Sequence, residues 1–86
     1  MAPSSASLLS DTYIKVYPVP TTDYLRIEST LSEPIEYGLI NIAGVKVRQG
    51  MFIHSEVIDV ENLASGIYLL GFSTKNGMQI KKVIIE

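Results

Sequence analysis

The chain has 86 residues, of which 47% are apolar, and a formal net charge of −2. This length suffices for one domain with a single small core. The seven lysine and arginine residues are scattered along the chain, so a basic surface for nucleic acid is not expected. The apolar runs are five residues or fewer, and no membrane-spanning segment or signal peptide is predicted. The absence of cysteine excludes disulfides and thiolate sites.

The first 12 residues are small and polar and have no periodicity. This composition predicts a flexible linker over residues 1–12, followed by one folded domain over residues 13–86. Such a linker is typical of a domain joined to a larger protein, although an expression remnant would have the same composition.

Seven short segments with strand character follow. The first ends at Pro18 and Pro20, which lack the N–H that a strand ladder needs, so we expect an edge strand. In the second, Leu25 and Ile27 alternate with charged residues and are expected to face inward. The predicted strands are residues 13–17, 24–28, 35–42, 45–49, 56–60, 66–74 and 78–85.

Turn chemistry separates these strands. The side-chain oxygens of residues 21–23, including Asp23, are expected to cap free amides. Residues 41–44 fit a hairpin turn with Gly44 in the left-handed region, and residues 75–77 fit a second hairpin.

Residues 66–74 are apolar on both faces, which predicts a central strand. Leu63 and Tyr68 bracket Gly66 in an arrangement like a tyrosine corner, in which the ring is buried and its hydroxyl bonds to the upstream main chain.

The pattern predicts an all-β fold, a seven-stranded immunoglobulin/fibronectin III-like antiparallel β-sandwich, with a small barrel as the alternative. The predicted core residues are Ile14, Val16, Leu25, Ile27, Tyr37, Leu39, Val47, Ile58, Leu63, Tyr68, Leu70, Phe72 and Ile80.

The residues that could carry chemistry are few. His54 is the single histidine and is interpreted as an exposed loop residue rather than a ligand or base. Asp59 and Glu61 could hold a cation weakly, but solvated charges at a strand edge explain them better. No cofactor, metal site or catalytic residue is predicted, so the chain is not expected to be an enzyme.

Four stretches, residues 17–25, 41–44, 63–68 and 81–86, occur in the order and spacing of a known family. The chain resembles the type IX secretion C-terminal sorting domain, type A, from about residue 13 to residue 86. The family usually reads Tyr-Pro-Asn-Pro where this chain has Val19, so a hydrogen bond from that asparagine amide is missing.

The resemblance implies a secretion signal without catalytic activity. Members direct cargo proteins of the Bacteroidetes from the periplasm through the type IX translocon to the cell surface or the medium. A sortase-like cysteine peptidase then removes the domain and the cargo is anchored; here the cleavage would fall between Met1 and Thr12. The implied recognition residues for the translocon, its outer-membrane shuttle proteins and the sortase are Pro18, Pro20, Asp23, Gly44, Gly66, Tyr68, Lys81, Lys82, Val83, Ile84, Ile85 and Glu86.

The last predicted strand carries apolar residues on both faces at Val83, Ile84 and Ile85. Its second face or free edge could dock on a partner by strand addition. Burial on both sides, or self-pairing into a homodimer through the edge, are the alternatives. Lys81 and Lys82 would discourage indiscriminate pairing or contact an acidic partner.

A different class of function is an adhesive or carbohydrate-binding accessory module of a surface enzyme. Such modules usually expose aromatic rings that stack on sugars. The chain has no tryptophan, and most of its tyrosines lie at predicted inward or edge positions, so this hypothesis is weaker.

Overall fold

The computed structural model describes residues 14–75 and 77–86. The described residues form seven strands and no helix, as predicted. The predicted linker, residues 1–12, lies outside the described residues, as does Asn76 of the second hairpin. The strands are β1 (Ile14–Tyr17), β2 (Tyr24–Ser29), β3 (Ile35–Ile40), β4 (Lys46–Phe52), β5 (Ser55–Asp59), β6 (Gly66–Thr74) and β7 (Gly77–Ile85).

The strands form two antiparallel sheets. One has three strands in the order β1-β2-β5, and the other has four in the order β4-β3-β6-β7. β1 is therefore an edge strand and β6 an interior strand, and both predictions are confirmed. The strand order is compatible with an immunoglobulin-like sandwich.

One apolar core lies between the sheets, because alternate residues of each strand point toward the opposite sheet. The rings of Tyr37, Phe52 and Phe72 meet edge to face, with centroid separations of 6.1 and 6.3 Å. The buried cluster comprises Ile14, Leu25, Ile27, Ile35, Tyr37, Leu39, Phe52, Ile58, Val60, Tyr68, Leu70, Phe72, Val83 and Ile85.

Most of the predicted core is confirmed, with Val16, Val47 and Leu63 packing against it as partly buried residues. The prediction that Ile80 belongs to the core is wrong, because 63% of its surface is exposed. It lies opposite Gly71 on the outward face of β7, in the register that buries Val83 against Tyr68.

The start of β4 also differs from the prediction. The alternation of the predicted strand, residues 45–49, points Val45 and Val47 inward, but Val45 lies in the turn before β4 and is exposed. The register between β3 and β4 shifts between Leu39 and Ile40. Of the two valines, only Val47 packs against the core. β4 also continues to Phe52, beyond the predicted strand end, and this extension buries the Phe52 ring.

The outward faces of the two sheets differ in chemistry. The three-stranded sheet presents charged residues such as Arg26 and Glu28. The four-stranded sheet presents apolar ones: Ile67 and Leu69 of β6 are 50% and 45% exposed. The apolar second face of β6 is therefore a surface.

Candidate recognition surface

Three connecting segments and the end of β7 meet at one end of the sandwich, which we call the motif end. They are residues 18–23 between β1 and β2, residues 41–45 between β3 and β4, residues 60–65 between β5 and β6, and residues 85–86. The antiparallel order places them together, because β2, β4 and β6 begin where β1, β3, β5 and β7 end. All four stretches that carry the family resemblance reach this end.

Thr21 joins the first of these segments to the last strand. Its N–H donates to the Ile84 carbonyl at 3.0 Å, and the Glu86 N–H donates to the Thr21 carbonyl at 2.8 Å. Thr21 is 5% exposed, and its hydroxyl donates to the Tyr24 carbonyl. The segment after Pro20 is thereby attached to the end of β7, a contact that no feature of the sequence predicts.

The predicted capping in this segment is made differently. The carboxylate of Asp23 has no hydrogen-bond partner among the described residues, so its predicted capping role is wrong. The Asp23 main-chain carbonyl instead accepts the Val60 N–H at 3.0 Å. This bond ties the segment to the end of β5.

The β3–β4 turn is fixed by the Asn41 side chain. Its Oδ1 accepts the N–H groups of Ala43 and Val45 at 2.9 and 3.0 Å. Gly44 has φ of +85°, which confirms the predicted left-handed position and is a conformation that L side chains seldom adopt. Asparagine at the start of a turn is the sequence signal for this arrangement.

The predicted tyrosine corner is confirmed. The Tyr68 hydroxyl donates to the Ala64 carbonyl at 2.6 Å, while the ring is 6% exposed. A cavity of about 210 Å³ lies between this corner and the β3–β4 turn, lined by residues 41–43 and 64–68. Two of the resemblance motifs therefore share one small cavity.

The structure brings most of the predicted recognition residues together at the motif end, and the rest extend from it along β7. Val83 and Ile85 are buried in the core, whereas Ile84 is half-buried. Lys81 and Lys82 lie further along β7, opposite Leu70 and Leu69, away from the motif end. The residues at the motif end are Pro18, Pro20, Asp23, Gly44, Gly66, Tyr68, Ile85 and Glu86.

The other candidate residues have structural roles. The Asp59 carboxylate accepts the Glu61 N–H at 2.9 Å, which is a local cap. His54 is an exposed loop residue, as predicted, with φ of +72°. In the part of the chain that the structure describes, no group of three or more histidine or acidic side chains is placed to hold a metal ion.

The opposite end of the sandwich contains a Tyr37–Glu56 pair. The Tyr37 hydroxyl donates to Glu56 Oε2 at 3.2 Å. Burial first, and then the adjacent carboxylate, raise the pKa of Tyr37 above its usual value. The pair links β3 of one sheet to β5 of the other through polar groups at the open edge of the core.

The outward face of the four-stranded sheet contains a groove of about 600 Å³. Its floor is made by the facing glycines Gly38 and Gly71, and Met51 and Met78 line its sides. Glu36, Lys46, Gln49 and Ser73 also line the groove, so its surface is partly polar.

Within residues 14–75 and 77–86, no helix has the length and apolar character needed to cross a membrane.

Comparison with known proteins agrees with the resemblance. A family model described as "Secretion system C-terminal sorting domain" matches residues 15–86. A Beta-agarase D from Zobellia galactanivorans is 36% identical over 73 residues, which are 84% of this chain and 14% of the agarase. The residues matched by the family model thus contain the whole motif end and all but the first residue of the described sandwich. The chain belongs to the family of secretion system C-terminal sorting domains.

Proposed function

We propose that this domain is the signal by which a cargo protein is recognised and passed through the type IX translocon across the outer membrane. The observation that carries the proposal is the gathering of the family motifs at one end of a folded domain. Recognition of a folded surface requires residues from distant parts of the sequence to lie side by side, and here Thr21, the Asn41 turn and the Tyr68 corner do so.

The path of the chain supports the same proposal. Ile14, where the described chain begins, lies at the end of the sandwich opposite the motif end, because β1 runs from Ile14 toward the Pro18 loop. Ile14 itself is about four strand residues, roughly 13 Å, from the motif end. A passenger that precedes this domain would therefore join the sandwich at the end that does not carry the motifs.

The finer steps follow from the family. The cargo crosses the periplasm before it reaches the translocon and its outer-membrane shuttle proteins. At the cell surface a sortase-like cysteine peptidase cleaves between Met1 and Thr12, and the cargo is anchored or released. The strand order supports assigning the domain to the immunoglobulin/fibronectin III-like sandwiches. In this scheme the domain is a substrate and supplies no catalytic group.

The test is a fusion of a periplasmic reporter to residues 1–86, expressed in a type IX-competent host and in an isogenic host without the translocon. We expect the reporter outside the cell only in the competent host, with its new terminus between Met1 and Thr12. Deletion of residues 82–86, which removes Val83 and Ile85 from the core, is expected to abolish export. A reporter retained in both hosts, or exported equally with and without this deletion, contradicts the proposal.

A carbohydrate-binding role has weaker support. Tyr37 and Tyr68 are buried, and Tyr17 and Tyr24 are 41% and 47% exposed. The Tyr17 hydroxyl is hydrogen-bonded to Glu28 at 2.6 Å. Among residues 14–75 and 77–86, the aromatic surface available for stacking is therefore two half-exposed rings on the three-stranded sheet. We retain the secretion signal as the proposed function.

A further inference from the structure

The edges of the two sheets differ in how open they are to pairing. β1 has four residues and ends at Pro18, β5 has five, and β4 contains the register shift opposite Leu39 and Ile40. Short strands, prolines, bulges and charged side chains, lysine above all, are the means by which proteins prevent edge pairing. β7 carries only the last of these, as Lys81 and Lys82, which restrict the registers that it can form. β7 has nine residues, keeps an unbroken register with β6, and contains no proline. It is the edge best suited to accept another strand.

The hydrogen bonds of Thr21 show which groups of β7 face this edge. Thr21 occupies the Ile84 carbonyl and the Glu86 N–H, so the even-numbered residues direct their main-chain groups away from β6. Main-chain groups alternate in direction along an antiparallel strand. The N–H and C=O groups of Met78, Ile80 and Lys82 therefore also point toward this edge. The open stretch is therefore residues 78–82, bounded by the hairpin turn on one side and by Thr21 on the other.

We propose that this stretch pairs with the same stretch of a second copy of the chain, antiparallel and about a two-fold axis at Ile80. The midpoint of the open stretch is Ile80, and this register places Met78 opposite Lys82 of the other copy. About six main-chain hydrogen bonds form, and the two four-stranded sheets become one continuous sheet. The Ile80 side chain, 63% exposed in the single chain, meets its own copy.

The side chains favour this register over those whose axis lies closer to the C-terminal end of β7. A two-fold axis at Lys81 or at Lys82 would place like charges directly opposite each other, which is destabilising. With the axis at Ile80, each Lys81 lies opposite Gln79 of the other copy on the inward face. Gln79 Oε1 is buried and has no hydrogen-bond partner among the described residues, and the lysine supplies a donor beside it.

The pairing is independent of the proposed function. It uses residues 78–82 and leaves the Thr21–Glu86 bridge and the motif end uncovered. The experiments below use purified chain without a translocon, so their outcome does not depend on whether the domain directs secretion.

Disulfide trapping tests the register, because the chain has no native cysteine. In residues 1–86 carrying Ile80→Cys, the two Cα atoms lie about 5.5 Å apart across the axis, a separation that a disulfide spans. Met78→Cys is the matched control, on the same strand, face and edge and 69% exposed. In the proposed dimer the two Met78→Cys positions, one in each chain, would be offset by four residues, roughly 13 Å along the strand. This separation is too large for a disulfide. We expect mild oxidation at about 100 µM protein, between the micromolar and millimolar dissociation constants of weak complexes, to yield at least about tenfold more dimer with Ile80→Cys. Equal yields, or a larger yield with Met78→Cys, overturn the proposal.

A charge-pair experiment tests the axis without a covalent bond. Ile80→Lys and Ile80→Glu each place like charges at the axis and are expected to sediment as monomers. Their equimolar mixture is expected to form a heterodimer, because opposite charges then face each other. Both substitutions are at an exposed position, and thermal unfolding verifies that each variant is folded. A mixture that sediments like its separate components overturns the proposal, as does a wild-type chain that remains monomeric at about 1 mM.

Discussion

At the residue scale, small polar groups hold the loops of the motif end. Asn41 Oδ1 accepts two turn amides, and the Tyr68 hydroxyl bonds to the Ala64 carbonyl. Both arrangements could be predicted, because asparagine in a turn and tyrosine after a glycine corner act within a few residues. The Thr21 contact with Ile84 could not be, since it joins main-chain groups far apart in sequence and main-chain groups carry no residue-specific signal.

Tyr37 provides a prediction of pH dependence. Burial and the Glu56 carboxylate raise the pKa of Tyr37 in the folded chain, whereas the unfolded chain has a tyrosine pKa of about 10. Above about pH 10 the unfolded state releases this proton first, so the free energy of unfolding falls as pH rises through the folded pKa. Below about pH 10 the full contribution is present.

The measurement is urea unfolding between neutral pH and about pH 11, which brackets the ordinary tyrosine pKa. We expect Tyr37→Phe to make the loss of stability above about pH 10 shallower. Tyr17, whose pKa is raised by its hydrogen bond to Glu28, is retained in this variant and keeps part of the slope. An unchanged slope in Tyr37→Phe would show that Tyr37 does not contribute to the alkaline transition.

At the scale of elements, the sequence pattern predicts where strands lie better than which face of a strand is buried. In β7 the apolar residues are even-numbered at Met78 and Ile80 and odd-numbered at Val83 and Ile85. A strand without a bulge can bury one set only. Pairing with β6 places Val83 opposite Tyr68 and Ile85 opposite Gly66, where both are buried, and leaves Met78 and Ile80 exposed. The tertiary partner therefore decides the face, and the strand alone does not.

Alanine substitutions on the two faces of β7 test this assignment. Ile85 is 2% exposed and Ile80 is 63% exposed. Ile85→Ala is expected to lower the free energy of unfolding by about 2–5 kcal/mol, because it leaves a cavity in the core. Ile80→Ala is expected to change it by less than about 0.5 kcal/mol. Urea unfolding at a protein concentration low enough to keep the chain monomeric measures both, and equal costs would contradict the observed register.

At the scale of the whole molecule, the sandwich has two ends with different roles. Loops 18–23, 41–45 and 60–65 form the motif end, and residues 30–34 lie at the other end, where β1 begins. The seven strands and the class of fold could be predicted from alternation and turn residues. The convergence of the four motifs could not, because it depends on which strands are neighbours in each sheet, and local patterns do not determine strand order.

Matched insertions distinguish the two ends, on the basis of the proposed function. A short Gly-Ser insertion between Ile42 and Ala43 enlarges an exposed turn of the motif end, and the same insertion after Ser32 enlarges an exposed loop of the opposite end. Lengthening an exposed loop costs little stability, on the order of 0.6 kcal/mol per doubling of its length. Both variants are therefore expected to fold, as thermal unfolding of the purified chains would show.

The reporter fusion with the Ser32 insertion is expected to be exported like the unmodified domain. The fusion with the insertion after Ile42 is expected to be retained, because that insertion moves the Asn41 turn away from the Tyr68 corner. Equal export of the two fusions would show that the translocon recognises some other part of the domain.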